Sequence, residues 1–136
     1  MQLGERKMVN NYSALLDYIE YFNDETNKFY TIHEGKEING VFYIGGSAYS
    51  DKVNELIKKS YEIEFIYIGD YSDWFDSKRS SADEIIQIIS SSNLEMLRKI
   101  FTFFIRKERF CEGTLVSAID NKIIINILFR LKELLS

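Results

Sequence analysis

From Leu94 to Arg106 the chain reads Leu-Glu-Met-Leu-Arg-Lys-Ile-Phe-Thr-Phe-Phe-Ile-Arg. On a helical wheel its polar positions, Glu95, Arg98, Lys99, Thr102 and Arg106, fall within an arc of about 100°. Every other position is Leu, Met, Ile or Phe. A helix that is apolar around most of its circumference must be covered by other elements on nearly every side. The spacing therefore predicts a central core helix over about residues 93–108, and the remaining sequence must supply what packs around it. Ser92-Asn93-Leu94-Glu95 matches the Ser-x-x-Glu capping box for its start, and Ser81-Ala82-Asp83-Glu84 matches it for a shorter preceding helix with Ala82, Ile85, Ile86 and Ile89 along one stripe.

The same periodicity predicts a helix from Tyr12 to Phe22, with Ala14, Leu15, Tyr18, Ile19 and Phe22 on its apolar face, and another capped by Ser50 with Val53, Leu56 and Ile57 inward. Between them, Phe29–Gly46 is rich in β-branched and aromatic residues and is broken by Asn39-Gly40, a dipeptide suited to the positive φ angles of a tight turn. A hairpin follows, with Ile38 and Val41 flanking the turn. Glu62-Ile63-Glu64-Phe65-Ile66-Tyr67 alternates at period two and predicts a third strand, since a lone hairpin is marginal in water. Gly69–Asp76 has neither period and is expected to be a loop anchored by aromatic side chains. Gly113 breaks the chain after the central helix, a short turn or helix runs through Ala118, and Asp120 or Asn121 is the expected cap of a last helix ending near Leu135. Residues 1–9 show no periodicity and are expected to be disordered. The expected fold is a single α+β domain over residues 10–136, mainly helical, with a small antiparallel sheet from residues 29–68 and a C-terminal helical core.

Composition narrows the function classes. Of 136 residues, 15% are aromatic, too many for a disordered chain, and 17 basic against 21 acidic side chains give a net charge of −4. That sign disfavours general attraction to phosphate backbones, and the charge is too small to suggest an acidic mimic of nucleic acid. The last helix, Ile123-Ile124-Ile125-Asn126-Ile127-Leu128-Phe129-Arg130-Leu131, is too apolar to read base edges. No apolar run reaches the roughly 18 residues of a membrane span and no signal peptide is written, so the cytoplasm is the expected location.

One histidine, His33, and one cysteine, Cys111, leave little material for imidazole or thiol catalysis. The structural reading is a hydrogen-bonded strand histidine and a small buried thiol. Structural zinc lacks ligands, and Asp70, Asp73 and Asp76 recur every third residue, which fails the every-second spacing of a calcium loop. No phosphate-cradling glycine motif occurs. No metal or cofactor is expected. Twenty-one acids offer many carboxylate pairs, and sequence does not choose among them.

The densest unusual feature is Arg106-Lys107-Glu108-Arg109-Phe110-Cys111-Glu112-Gly113. With helical geometry maintained, Arg98, Thr102, Arg106 and Arg109 share one stripe. As a binding site, the stripe is an anion pocket of bidentate donors. As structure, its cations complement a helix C-terminus and are neutralised by Asp73, Asp76 or Glu112. Trp74 lies in an acidic, aromatic loop, and an Asp73 pair with Arg106 or Arg109 would dock that loop on the stripe. Loop aromatics are also frequent at binding surfaces. Ile123, Ile125 or Phe129 is expected to lie outside the arc that one core covers, and a self-association face would bury it.

The string Arg106-x-x-Arg109-Phe110-Cys111-Glu112-Gly113, with Leu128-x-Arg130-Leu131 after it and Tyr49-Ser50 and Asp73-Trp74 before it, resembles a bacterial domain family of unknown function. The resemblance spans residues 47–135 and rests on the Arg-x-x-Arg-Phe-x-x-Gly core. The chain lacks the prolines around Tyr49-Ser50 and Asp73-Trp74 and the second tryptophan that the family carries. The resemblance implies that Arg106, Arg109, Gly113 and Arg130 cluster, and supplies no substrate. The expected function is therefore a cytoplasmic, non-enzymatic interaction or regulatory protein, self-associating or binding a protein partner near Asp73, Trp74 and Glu112. The alternative is a protein, conceivably an enzyme, that binds a small molecule or anion in a pocket lined by Arg98, Arg106, Arg109 and Asp73.

Overall fold

The computed structural model describes residues 11–43 and 45–136, and the expected disorder of residues 1–9 lies outside them. The fold is α+β and mainly helical. A 3-10 helix, Ser13–Tyr18, leads into a short α1, Ile19–Asn23. The expected amphipathic helix is thus wound more tightly at its start. Tyr12 and Leu15 are buried and Tyr18 is half-buried, a spacing of three that a 3-10 helix stacks on one side.

β1 (Tyr30–His33), β2 (Lys36–Ile38), β3 (Val41–Tyr43) and β4 (Gly46–Tyr49) form two antiparallel pairs, β1 with β4 and β2 with β3. The two pairs share one residue offset, Tyr30 opposite Tyr49 and Ile38 opposite Val41, but are separate ladders: Ser50 N–H donates to Phe29 O at 2.9 Å and the Ser47 N–H faces Glu112, so the inner pair alternates independently of the outer one around the Asn39-Gly40 turn. Asn39 and Gly40 take φ of 53° and 82°, which builds the tight turn expected of them.

α2 (Asp51–Glu62) starts where expected, with Ser50 Oγ accepting from the Val53 N–H at 3.3 Å. The expected third strand at residues 62–67 does not form. Glu64 enters the left-handed region at φ 59°, Glu64 N–H donates to Tyr61 O at 3.2 Å and Phe65 N–H to Ser60 O at 2.9 Å. This is a Schellman closure of α2. Phe65 and Ile66 are then buried in succession, so the period-two alternation does not correspond to two faces.

α3 (Ala82–Ser91) carries the full capping box between Ser81 and Glu84. α4 (Leu94–Lys107) begins one residue later than expected, because Ser92 is buried and its hydroxyl donates to Ile89 O at 2.8 Å, closing α3. The cap passes to Asn93, whose Oδ1 accepts from Met96 N–H at 2.8 Å. After Gly113, at φ 94°, come α5 (Thr114–Asp120) and α6 (Ile123–Leu135). Neither Asp120 nor Asn121 caps α6. Lys122 enters it from the left-handed region at φ 67°, Asp120 accepts a hydrogen bond from Tyr30, and Asn121 Nδ2 donates to Ser117 Oγ at 3.0 Å.

α6 is in contact with the 3-10 helix and with α1, α3, α4 and α5. Ile123 and Ile125, expected on a self-association face, are consequently buried in the core with Ile124, Ile127, Leu128 and Leu131. Phe129 alone of that expected set stays exposed, at 38%.

Candidate interaction surface

α4 presents two parallel rows of side chains, each at a spacing of four residues and offset by one. Arg98, Thr102 and Arg106 face the segment leaving α2, and Lys99, Phe103 and Lys107 face the Trp74 loop.

The first row binds backbone. Arg98 Nε donates to Phe65 O at 2.9 Å, and its Nη2 donates to Glu64 O at 3.1 Å and Ile66 O at 3.2 Å. The guanidinium lies between the rings of Tyr12 and Tyr67, 5.7 and 5.6 Å from their centroids. Fully buried Thr102 accepts from Tyr67 N–H at 2.8 Å and donates to Arg98 O at 2.7 Å. The hydrogen bonds that a third strand would have made are thus made by one arginine and one threonine. Arg106 lies over the Tyr61 ring at 5.5 Å, its Nε buried and without an acceptor, and Arg109 Nη2 donates to Tyr61 Oη at 3.2 Å.

The second row holds the loop. Asp73 pairs with Lys99 at 2.8 Å, not with Arg106 or Arg109 as expected, because the segment from α2 already covers the arginine side. The Asp73 hydrogen bond holds the Lys99 ammonium above the usual lysine range. Asp70 accepts from the Ser72 backbone and hydroxyl, both at 3.0 Å, which holds its carboxyl below the usual range. Trp74 Nε1 donates to Tyr71 O at 2.7 Å, and its ring meets Phe103 edge-on at 5.1 Å. Phe75 stacks on Phe103 at 4.8 Å, and the Lys107 ammonium sits over both rings, 5.4 Å from Phe75 and 5.2 Å from Phe103. Trp74 is half-buried, a loop anchor with part of its surface open.

Lys107 and Phe103 separate two grooves. One, of about 280 Å³, runs between Gly69–Ser72 and Phe110. The other, of about 390 Å³, runs between Phe75, Ser80 and the Gly113–Thr114 turn. Phe110, which lines the first, is 84% exposed, and Ile68, which precedes its Gly69 in the chain, is 91% exposed. These two and Lys107 were absent from the sequence-based candidates, although Phe110 stands inside the Arg-x-x-Arg-Phe string.

Glu112, expected beside the arginines, reaches the hairpin instead. Its Oε1 accepts from Ser47 N–H at 2.8 Å, and a Cβ on Gly46 would come within 2.6 Å of the same oxygen, so a side chain there would shift the carboxylate. Glu108 Oε1 accepts from Leu115 N–H at 2.9 Å, starting α5. Burial pushes the Tyr49 phenol up, and the Glu108 carboxylate adds to the shift. Cys111 is exposed rather than buried, since it lies in the turn beyond the end of α4. His33 is exposed at the end of β1. Among the described residues no three His, Cys, Asp or Glu side chains gather as a metal site would require, and no helix is long and apolar enough to cross a membrane.

A family model described as "Family of unknown function (DUF6508)" matches residues 7–136. The chain belongs to this family. The DUF6508 match takes in the whole hairpin as well as the helical core, and so reaches well upstream of the residues 47–135 on which the resemblance rested. No curated protein and no solved structure matches the chain.

Proposed function

We propose that this DUF6508 chain is a non-enzymatic, regulatory interaction protein of the bacterial cytoplasm, and that it binds a protein partner across the Trp74 loop and the end of α4. The Arg-x-x-Arg-Phe-x-x-Gly string is, on this reading, a family hallmark that shapes the surface. The observation that supports the reading is the placement of Phe110, 84% exposed, on a groove lined by Phe103 and Lys107, with Ile68, 91% exposed, next in sequence to the Gly69 that lines its other side. Large apolar side chains left in water beside a preformed aromatic groove are characteristic of a docking surface. The loop is fixed in advance by the Lys99–Asp73 pair and by Trp74, so little ordering entropy opposes binding.

A photoreactive benzoylphenylalanine at position 110, in cells that make the protein, tests this. The expected result is one discrete adduct with a different protein, lost when Ile68→Ser or Lys107→Glu is added and absent when the probe stands at exposed Glu55. A diffuse smear, or an adduct unaffected by both substitutions, overturns the reading.

The anion-binding alternative is supported by the buried Arg106 Nε, which has no acceptor. Against it, Arg98 is already committed to three carbonyl oxygens. A thermal-shift screen with phosphorylated metabolites separates the two, because a ligand of the folded state raises the melting temperature. A hit abolished by Arg106→Gln and indifferent to Phe110→Ser moves the assignment to the alternative.

A further inference from the structure

Ile32, Ile38, Val41 and Phe42, which lie on the hairpin, are all more than half exposed, Phe42 reaching 67%. The two strands differ in what they offer a neighbour. Residues 33–37 are His-Glu-Gly-Lys-Glu, whereas Val41–Tyr49 contains no ionisable acid or base other than tyrosine. Charges on an edge strand are a common defence against edge-to-edge pairing, and the β3 side has none. The inner half of that side is occupied, since Glu112 takes the Ser47 N–H. Among the described residues, none hydrogen-bonds to the outer side of β3.

The two-residue turn makes Ile38 and Val41 a bonded pair, and bonded and non-bonded pairs alternate along the β2–β3 ladder, which is separate from β1–β4. At Phe42, therefore, the N–H and C=O face away from β2. We infer that β3 pairs with β3 of a second copy of this chain about a two-fold axis at Phe42, turning two hairpins into one four-stranded antiparallel sheet. Phe42 then stands opposite Phe42 and exchanges both backbone hydrogen bonds with it, and Val41 stands opposite position 43. Two aromatic side chains meet at the centre, with each Glu37 on the outer strand of the same face. The competing edge, β2 on β2 about Glu37, sets two carboxylates directly opposite, which is destabilising. The pairing is isologous and so closes at two copies. It also gives a marginal two-stranded hairpin further strands. None of its residues belongs to the Trp74-loop surface, so the two proposals fail independently.

Light scattering on the full chain, followed to high micromolar concentration, is the first measurement. The expected result is a concentration-dependent dimer whose dissociation constant rises by at least about tenfold in Phe42→Lys, with an unchanged helical circular-dichroism signal. Disulfide trapping in a Cys111→Ser background covers the case in which that variant disturbs the hairpin. Phe42→Cys is expected to form a covalent dimer readily and Glu37→Cys to form little. A monomer at every concentration overturns the inference, as do equal trapping at positions 37 and 42 and a dimer that Phe42→Lys leaves intact.

Discussion

At the scale of single residues, Arg98 is the side chain on which most of the local architecture depends. A planar guanidinium reaches three successive carbonyl oxygens from one position on α4, and its faces are covered by Tyr12 and Tyr67. A lysine ammonium is a point charge and has no such fork. Arg98→Ala is expected to lower unfolding stability by about 1.5–3 kcal/mol, the range for hydrogen bonds made by a charged donor. Arg98→Lys is expected to recover less than half of the loss. Urea denaturation followed by circular dichroism measures both, and a lysine variant as stable as the parent chain contradicts this account.

At the scale of elements, Glu112 on Ser47 and the Tyr30 hydroxyl on Asp120 tie the hairpin to the helical body. Glu112→Ala is expected to speed amide exchange at Ser47 and through residues 41–49 while leaving the slow amides of α4 and α6 unchanged. Uniform acceleration over the whole chain would show instead that Glu112 supports global stability. The hairpin turn was legible because Asn39-Gly40 encodes its own dihedral angles, and α3 was legible because Ser81 and Glu84 cap it from within three residues. The path of residues 62–67 was not legible, because it depends on Arg98 and Thr102, more than thirty positions away. For the same reason Asp73 was matched to the wrong cation. Its partner follows from which row of α4 the α2 exit segment covers, and no local pattern records that.

At the scale of the whole molecule, the core is one connected apolar cluster running from Tyr12 to Leu131, with α6 touching most of the other helices. Ile127→Ala on α6, 1% exposed, is expected to cost about 2–5 kcal/mol, the range for a buried isoleucine truncated in a packed interior. The signals of Trp74 and of helical circular dichroism are expected to move together to the lower midpoint. Two separate transitions would mean that the Trp74 loop and the helices unfold independently. The apolar excess of α6 was legible and its cause was not: Ile123 and Ile125 look surplus on a wheel but are covered, because helices approach α6 from several directions. The grip of Arg98 on main-chain oxygens bears on which changes the α2 exit tolerates. Carbonyl groups are common to all residue types, so the guanidinium's hold on positions 64–66 does not itself depend on which side chains stand there. A deletion there removes an oxygen from the guanidinium's reach, so this contact sets the length of the segment while the buried Phe65 and Ile66 set its side chains.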